Sequence, residues 1–220
     1  MRDDSEKRPL LVNYYERYLV DQDIDAYVCS VSASYTTGCL QRLAEVGSRT
    51  ARRGAVLGLG RLGDYRANMT LGRALIDSDR GVRTLAENGI RSLWMRVGVP
   101  SVQRHLAAIE EHLEEKQYDR AAQLATGLAE DSPWIAQAWY FRGKAFFHLE
   151  QYEAATRDCH QALEINAYHF LAASVMGQAY LLTGDLVSAL ESFRRALRLN
   201  PNMEEVRAQV IHLQRNLKGE

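Results

Sequence analysis

The sequence contains few of the residues that cross-link small secreted domains or mark disordered linkers. Among 220 residues there are four prolines and three cysteines, namely Cys29, Cys39 and Cys159. An odd number of cysteines without CxxC spacing argues against a disulfide framework and against a zinc site. The low proline count, together with 15 glycines, gives no indication of a long disordered linker.

Long apolar runs are also missing. No uninterrupted apolar stretch approaches the roughly 18 residues that a membrane-spanning helix requires. The first eight residues, Met1 to Arg8, are mostly charged and lack the apolar core of a secretory signal. Hydrophobic content of 46% and charged content of 25% are ordinary for a folded soluble protein. We therefore expect a cytoplasmic protein of one or two domains without a membrane span.

The sequence contains a tandem repeat of two copies between Ala136 and Met203. The segment Ala162–Asn166 returns as Ala196–Asn200, at a period of about 34 residues. The same shift relates Gly143 to Gly177, Phe146 to Tyr180 and Ala155 to Ala189. A fixed period of this length indicates an array of paired helices. The glycine and the alanine would let the two helices of a pair approach closely, and the aromatic residue would fill the space between neighbouring pairs.

This pattern resembles the tetratricopeptide repeat family. Residues 136–169 match the family pattern at Trp139, Gly143, Phe146, Ala155 and Ala162, and depart from it at Arg142, Cys159 and Ala167. Residues 170–203 match it at Gly177, Tyr180, Ala189, Phe193, Ala196 and Pro201, with Ala173 where tryptophan is usual. Residues 102–135 keep Tyr118, Ala121 and Pro133 but lack the glycine, so we interpret them as a degenerate third unit.

A second, weaker periodicity lies upstream. A constant offset, slightly shorter than the first, takes Leu40 to Leu71, Arg42 to Arg73, Arg49 to Arg80, Arg52 to Arg83, Ala55 to Ala86 and Leu62 to Leu93. Residues 35–96 resemble HEAT repeats of the short type found in bilin lyases. That resemblance implies two stacked helical hairpins.

Together these patterns predict an all-α fold, a right-handed α-α superhelical solenoid of stacked helical hairpins. The expected division is a tail with lead-in helices over 1–34, HEAT-like repeats over 35–100, tetratricopeptide units over 101–203 and a capping helix over 204–220. Residues 24–34 could form either a helix or a strand, because Tyr, Val and Ser recur there. The final helix carries a single apolar stripe, as the open end of a solenoid needs.

The sequence offers little catalytic chemistry. Its six histidines form neither an HExxH motif nor a Cys/His cluster with metal-ligand spacing. Residues 58–63 fit GxGxxG by letter, but a predicted helix without a preceding strand does not bind dinucleotides in that way. Cys159 stands at a core aromatic position and is interpreted as a buried structural residue. We expect no catalytic residues, no metal, no cofactor and no enzymatic activity.

The resemblance to tetratricopeptide repeats implies a peptide-binding groove lined by the first helix of each unit. On that basis the candidate peptide-binding residues are Tyr140, Phe141, Lys144, Phe147, His148, Leu171, Val175, Gln178 and Leu182. Family members that grip a C-terminal carboxylate have lysine, asparagine and arginine in the groove. This sequence has Leu106, Glu110, Phe141, Leu171 and Val175 at the corresponding places. An exposed apolar patch is one expectation, and burial of these residues within the array is the alternative.

Basic residues concentrate in the middle of the chain. Residues 41–104 carry 12 basic groups, all arginine, against five acidic groups, although the net charge of the whole chain is −1. One interpretation is an internal ladder in which Arg52 and Arg83 bond Asp77, Asp79 and backbone carbonyls. A second is contact with an acidic partner, including another copy of the chain, through Arg49, Arg52, Arg53, Arg80 and Arg83. Nucleic-acid binding is less favoured, because acidic residues interrupt the segment and lysine is absent.

The leading functional hypothesis is a non-catalytic scaffold or adaptor that holds an apolar or helical peptide of a protein partner in the groove. One alternative is a polyanion or nucleic-acid binder acting through the arginine-rich half. Another is an enzyme accessory related to HEAT-like bilin lyases.

Overall fold

The computed structural model describes residues 8–218, and every regular element within that range is helical. The residues that belong to the N-terminal tail before position 8 lie outside the described range. The helices are α1 (Leu10–Asp21), α2 (Ile24–Ser34), α3 (Thr37–Val46), α4 (Arg49–Leu62), α5 (Asn68–Ala74), α6 (Arg80–Met95), α7 (Pro100–Glu114), α8 (Tyr118–Asp131), α9 (Ala136–His148), α10 (Tyr152–Ile165), α11 (Phe170–Leu182), α12 (Leu186–Leu199) and α13 (Glu204–Lys218), with a short 3₁₀ helix at Tyr65–Ala67.

The predicted all-α class is confirmed for these residues. The segment that could have been a strand forms α2, and the carboxylate of Asp23 caps its start by accepting a 2.9 Å hydrogen bond from the Ala26 amide. The chain divides into two compact units between Leu93 and Trp94.

In the first unit, the central helix α4 packs against α1, α2 and α3. Small residues make these contacts close. The Tyr27 hydroxyl donates a 2.6 Å hydrogen bond to the Gly54 carbonyl. Further along, a Cβ atom at Gly60 would lie 2.7 Å from the Cα of Gly89, so α4 and α6 touch backbone to backbone. The glycines of residues 58–63 therefore allow close helix packing. They lie in and at the end of helix α4, which agrees with the prediction that this segment is not a dinucleotide-binding loop.

The second unit consists of three antiparallel helical hairpins, α7/α8, α9/α10 and α11/α12, followed by α13, which packs on α12. The first helices of the hairpins also neighbour one another, since α9 contacts both α7 and α11. Stacking of this kind gives each hairpin a nearest-neighbour interface and makes an α-α solenoid.

The two helices of each complete hairpin cross at a glycine. A Cβ at Gly143 would lie 2.9 Å from the Cys159 sulfur, and a Cβ at Gly177 would lie 2.6 Å from the Phe193 ring. Cys159 is completely buried, and burial raises the pKa of its thiol, so it stays protonated. The interpretation of Cys159 as a structural core residue is confirmed.

The departure from the repeat pattern at Arg142 is explained by a partner that the sequence did not reveal. The Arg142 guanidinium forms two hydrogen bonds, of 2.6 and 2.8 Å, with the largely buried carboxylate of Asp158 on the facing helix. It also lies 4.6 Å from the centre of the Trp139 ring. The equivalent positions in the next hairpin are Met176 and Ser192, both buried. A charged pair and a neutral pair thus occupy the same place in successive units.

The turn between the two helices of each hairpin repeats at the same spacing. Lys116 and Glu150 have φ of 61°, and Gly184 has φ of 82°, so each turn contains one left-handed residue. Side chains with a Cβ adopt this conformation at a cost, whereas glycine does not.

This turn gives a pair of opposed predictions. Gly184→Ala should lower the free energy of unfolding by about 1 kcal/mol, because the added Cβ meets no atom within 4 Å and only the backbone conformation is disfavoured. Glu150→Gly should raise it by a smaller amount, since glycine also gains freedom in the unfolded chain. Urea denaturation followed by circular dichroism measures both. Changes of the same sign in the two variants would contradict the argument.

The charged pair gives a second prediction. Asp158→Ser alone should destabilise the protein by roughly 3 kcal/mol, because it leaves the Arg142 cation largely buried without its counter-ion. Adding Arg142→Met reproduces the neutral pair of the next hairpin and should recover most of that loss. A double-mutant cycle in urea measures the coupling. Additive effects of the two substitutions would show that the pair contributes nothing.

Candidate functional site

The candidate peptide-binding residues lie on α9 and α11, the first helices of the two complete hairpins. The structure separates them into a covered group and an accessible group. Tyr140, Phe141 and Val175 are only 6%, 3% and 8% exposed. The expectation that they contribute to an exposed apolar patch is therefore wrong.

An aromatic cluster beside Tyr140 includes Trp94, in the last turn of α6. Its ring stacks on the imidazole of His169, with ring centres 4.3 Å apart and planes 13° from parallel. His169 in turn lies 4.6 Å from the Tyr140 ring, and Trp94 also packs 5.5 Å from Phe170. This part of the first-helix layer is thus filled by the chain's own aromatic residues. Trp94, which stacks on His169, precedes it in the sequence by more than two repeat units.

A buried hydrogen-bond chain accompanies the stack. His169 Nδ1 accepts from the Ala172 amide at 3.2 Å, which caps α11, so Nε2 carries the proton and donates to Gln137 Oε1 at 3.0 Å. The Gln137 amide then donates to the Met95 sulfur at 3.6 Å. Complete burial lowers the pKa of His169 to about 3, so the imidazole is neutral at pH 7.

The accessible group forms a row along α9 and α11. Lys144 is half-buried, whereas His148, Gln178 and Leu182 are exposed. Lys144 and His148 are four residues apart on one helix, as are Gln178 and Leu182, so each pair shares a helix face. The repeat period relates one pair to the other.

Aromatic rings support the row at the end of α9. The His148 ring stacks on Tyr118 with centres 4.4 Å apart and planes 10° from parallel. Half-buried Phe147 packs between His148, at 5.4 Å, and Tyr152, at 5.9 Å. Partial burial, together with the charge of Lys144, lowers the pKa of His148, so this imidazole is largely neutral at pH 7. The remaining candidate, Leu171, is half-buried near the start of α11.

The arginines of the first unit are partly used inside the chain. Arg52 forms two hydrogen bonds, of 2.8 and 2.9 Å, with Asp77, and Arg53 forms two, of 2.7 and 2.8 Å, with Asp79. Arg83 donates to the backbone carbonyls of Asp77 and Ser78. The predicted internal ladder is therefore present.

Two of the candidate arginines for contact with an acidic partner take no part in these hydrogen bonds to Asp77, Ser78 and Asp79. Arg49 and Arg80 are exposed, beside the turn that holds Asp77 and Asp79. The hydrogen bonds from Arg53 are the largest cause that lowers the pKa of Asp79, to about 2, with Arg49 adding a weaker effect. Contact of this surface with an acidic partner stays a prediction.

Two kinds of site have no candidate among the described residues. Between residues 8 and 218, no group of three or more His, Cys, Asp or Glu side chains is arranged to hold a metal ion. No helix in that range is both long enough and apolar enough to cross a membrane.

Comparison with known proteins identifies the repeats. Residues 136–169 and 170–203 each match a model of the tetratricopeptide repeat. The chain therefore contains tetratricopeptide repeats at the two positions where the sequence period was found. The HEAT-like resemblance of residues 35–96 is not confirmed.

Among similar curated proteins is RNA polymerase II-associated protein 3 of Xenopus tropicalis, 30% identical over 103 residues, which cover 47% of this chain and 16% of that protein. Hsc70-interacting protein 1 of Drosophila melanogaster is 35% identical over 86 residues, or 39% of this chain and 23% of that protein. The chain thus matches less than a quarter of the length of either relative.

Similar solved structures support the helical solenoid fold. The first tetratricopeptide domain of Spaghetti (RPAP3), bound to the HSP90 peptide SRMEEVD, has a TM-score of 0.51 and 23% identity, over 53% of this chain and 93% of that one. The first such domain of human RPAP3 gives the same score and identity over 54% and 93%. At this level of identity the likeness concerns the fold.

Burial of His169 predicts how stability depends on pH. The unfolded chain binds a proton near pH 6.5, whereas the folded chain excludes it until about pH 3. Stability from this group is therefore present above pH 6.5 and is lost as the pH falls, by up to about 1.4 kcal/mol per pH unit.

His169→Asn is the matched variant. Asparagine keeps a cap acceptor for α11 but does not titrate, so the free energy of unfolding should vary less steeply between pH 7 and pH 4 than in the wild type. Denaturation curves at several pH values measure the two slopes. Equal slopes would mean that His169 is not protonated on unfolding.

Proposed function

We propose that this chain is a non-catalytic adaptor that binds a segment of a protein partner along the accessible row of α9 and α11. The observation that supports the proposal is the row itself, Lys144 and His148 followed by Gln178 and Leu182 at the repeat spacing. Among the described residues, no hydrogen bond within the chain uses the side chains of Lys144 or Gln178. Both are therefore available as donors to a partner.

The chemistry of the row suits an apolar or helical segment. Leu182 is 57% exposed, and half-buried Phe147 and Leu171 add apolar surface on the same two helices. Apolar side chains of a helical segment can rest on these residues while Lys144 and Gln178 bond its polar edge. The neighbouring rings of Tyr140 and Phe141 are buried and packed, so the backbone that carries the row is firmly held.

The related RPAP3 domain binds an HSP90 peptide that ends in acidic residues and valine. We do not propose the same ligand for this chain. The positions at which the family grips a terminal carboxylate are Leu106, Glu110, Phe141, Leu171 and Val175, and three of these side chains are buried. An acidic tail would meet Glu110 and apolar surface there instead of cations.

Other functions have less support. Two of the five candidate arginines are already neutralised by Asp77 and Asp79, which weakens a polyanion-binding function. A role beside bilin lyases depends on the HEAT-like resemblance alone. Cys159, the cysteine at the core aromatic position, is completely buried, and burial raises the pKa of its thiol, which supports a non-catalytic role.

Photocrosslinking tests the location of the site. The photoreactive residue p-benzoylphenylalanine is placed at Gln178 in the row, and in a separate protein at Glu191, an exposed position on α12. We expect a distinct crosslinked partner from position 178 and none in common with position 191. The same products from both positions would indicate non-specific contact.

A matched pair of charge insertions then tests the mechanism. Leu182→Asp places a carboxylate in the row, whereas Val187→Asp places one at a similarly exposed apolar residue of α12. Leu182→Asp should weaken binding of the crosslinked partner segment at least about tenfold, because an anchor of this size contributes ~2 kcal/mol. Val187→Asp should bind like the wild type. Equal binding by both variants, with unchanged helical spectra, would refute the proposal.

A further inference from the structure

An unfilled cleft lies between α7 and α8, outside the row described above. Its apolar lining, here called the bed, is Ala108, Leu124 and Leu128, and its polar lining, here called the rim, is His105, Gln123 and Asp131. The cleft measures about 200 Å³. Gly127 also faces it, and a Cβ built there would meet no atom within 4 Å.

The next hairpin shows one way in which this place is filled. A shift by one repeat period takes His105 to Trp139, Ala108 to Arg142 and Leu124 to Asp158. In that hairpin the planar Arg142 group lies on the Trp139 ring and bonds Asp158. In the α7/α8 hairpin the side chain at the middle position ends at Cβ, so the space for a planar group beside the ring at position 105 is open.

A planar group of suitable chemistry is exposed nearby. Trp134 follows α8 by three residues and is 65% exposed, the highest value among the exposed aromatic side chains of the described range. Large exposed aromatic residues next to apolar clefts are typical of protein interfaces, and tryptophan is among the commonest interface anchors.

We propose that two copies of this chain associate by inserting Trp134 of each copy into the α7/α8 cleft of the other. Ala108, Leu124 and Leu128 would contact the indole ring, and the His105 imidazole would stack on its face. The Asp131 carboxylate, which forms no ion pair in the described structure, would accept the indole N–H. An indole therefore satisfies both the apolar bed and the polar rim of the cleft.

The position of Trp134 suits a two-fold arrangement. The tryptophan and the cleft belong to the same end of the same hairpin, since Asp131 lines the cleft and Trp134 is three residues further on. A surface that carries both a protruding side chain and a cleft that fits it can pair with an identical surface about a two-fold axis. Each copy then completes the site of the other.

Sedimentation of the full chain over a wide range of concentrations tests the proposal. We expect a reversible monomer–dimer equilibrium, with the dissociation constant raised at least about tenfold by Trp134→Ala. Ala108→Trp should disrupt the dimer to a similar extent while Trp134 is intact, because it fills the cleft from within. Unchanged far-ultraviolet circular dichroism establishes that both variants fold.

Fluorescence gives a second measurement that a general loss of stability would not reproduce. The difference between the emission of the wild type and of Trp134→Phe isolates Trp134 from Trp94 and Trp139. This difference spectrum should shift to shorter wavelength as the concentration rises, because the indole leaves water. The same difference spectrum is then measured between Ala108→Trp and the double variant Ala108→Trp/Trp134→Phe. It should not shift with concentration, because the cleft is already filled.

Leu182→Asp serves as the control, because it lies in the row of α9 and α11 and should leave the dimer intact. Trp134→Ala should likewise leave binding of the partner segment intact, so failure of one proposal is distinguishable from failure of the other. A chain that stays monomeric at every concentration refutes self-association and leaves the cleft to a side chain of another protein. A dimer that tolerates both Trp134→Ala and Ala108→Trp also refutes it.

Discussion

The close approach of two antiparallel helices is the constraint on which the second unit depends. At Gly143 and Gly177 there is no room for a Cβ, because Cys159 and Phe193 already occupy the space opposite. In these two hairpins the close approach lets α9 and α11 lie side by side, with Lys144, His148, Gln178 and Leu182 on one accessible face. The position of the accessible surface is thus determined by how the helices pack inside the hairpins, and the exposed residues determine only its chemistry.

The sequence was most informative where structure is local and repeated. The repeat period located the hairpins, because contacts between adjacent helices recur at fixed spacing. The sequence was less informative about which side chains are buried by residues that lie far away in the chain. The repeat pattern assigns Tyr140, Phe141 and Val175 to no contact within a hairpin and therefore predicts an exposed patch, whereas the structure places all three in the core. No periodic signal indicates that Trp94 stacks on His169 beside Tyr140, since Trp94 lies in another helix and has no counterpart in the repeats. The Arg142–Asp158 pair was predictable from the sequence. Arg142 departs from the repeat pattern on one helix of the hairpin, and Asp158 is a charged residue on the facing helix.

The candidate surface has a buried part and an accessible part. Near His169 the first-helix layer is closed by rings and hydrogen bonds, and a buried neutral imidazole there ties Gln137 and Met95 together. Towards His148 and Leu182 the layer is open and supported by Tyr118 and Tyr152 from below. Under the proposed adaptor function, binding specificity would come from the short accessible stretch, which lies next to the closed part.

The Arg142–Asp158 pair has a consequence for how such an array can change by recombination. If only the first helix of one hairpin were exchanged for that of the next, Met176 would face Asp158, or Arg142 would face Ser192, and a charge would be enclosed without its partner. Exchange of whole hairpins keeps each pair together. The smallest module that evolution can duplicate or shuffle here without penalty is two helices and their turn, and single helices are not interchangeable parts.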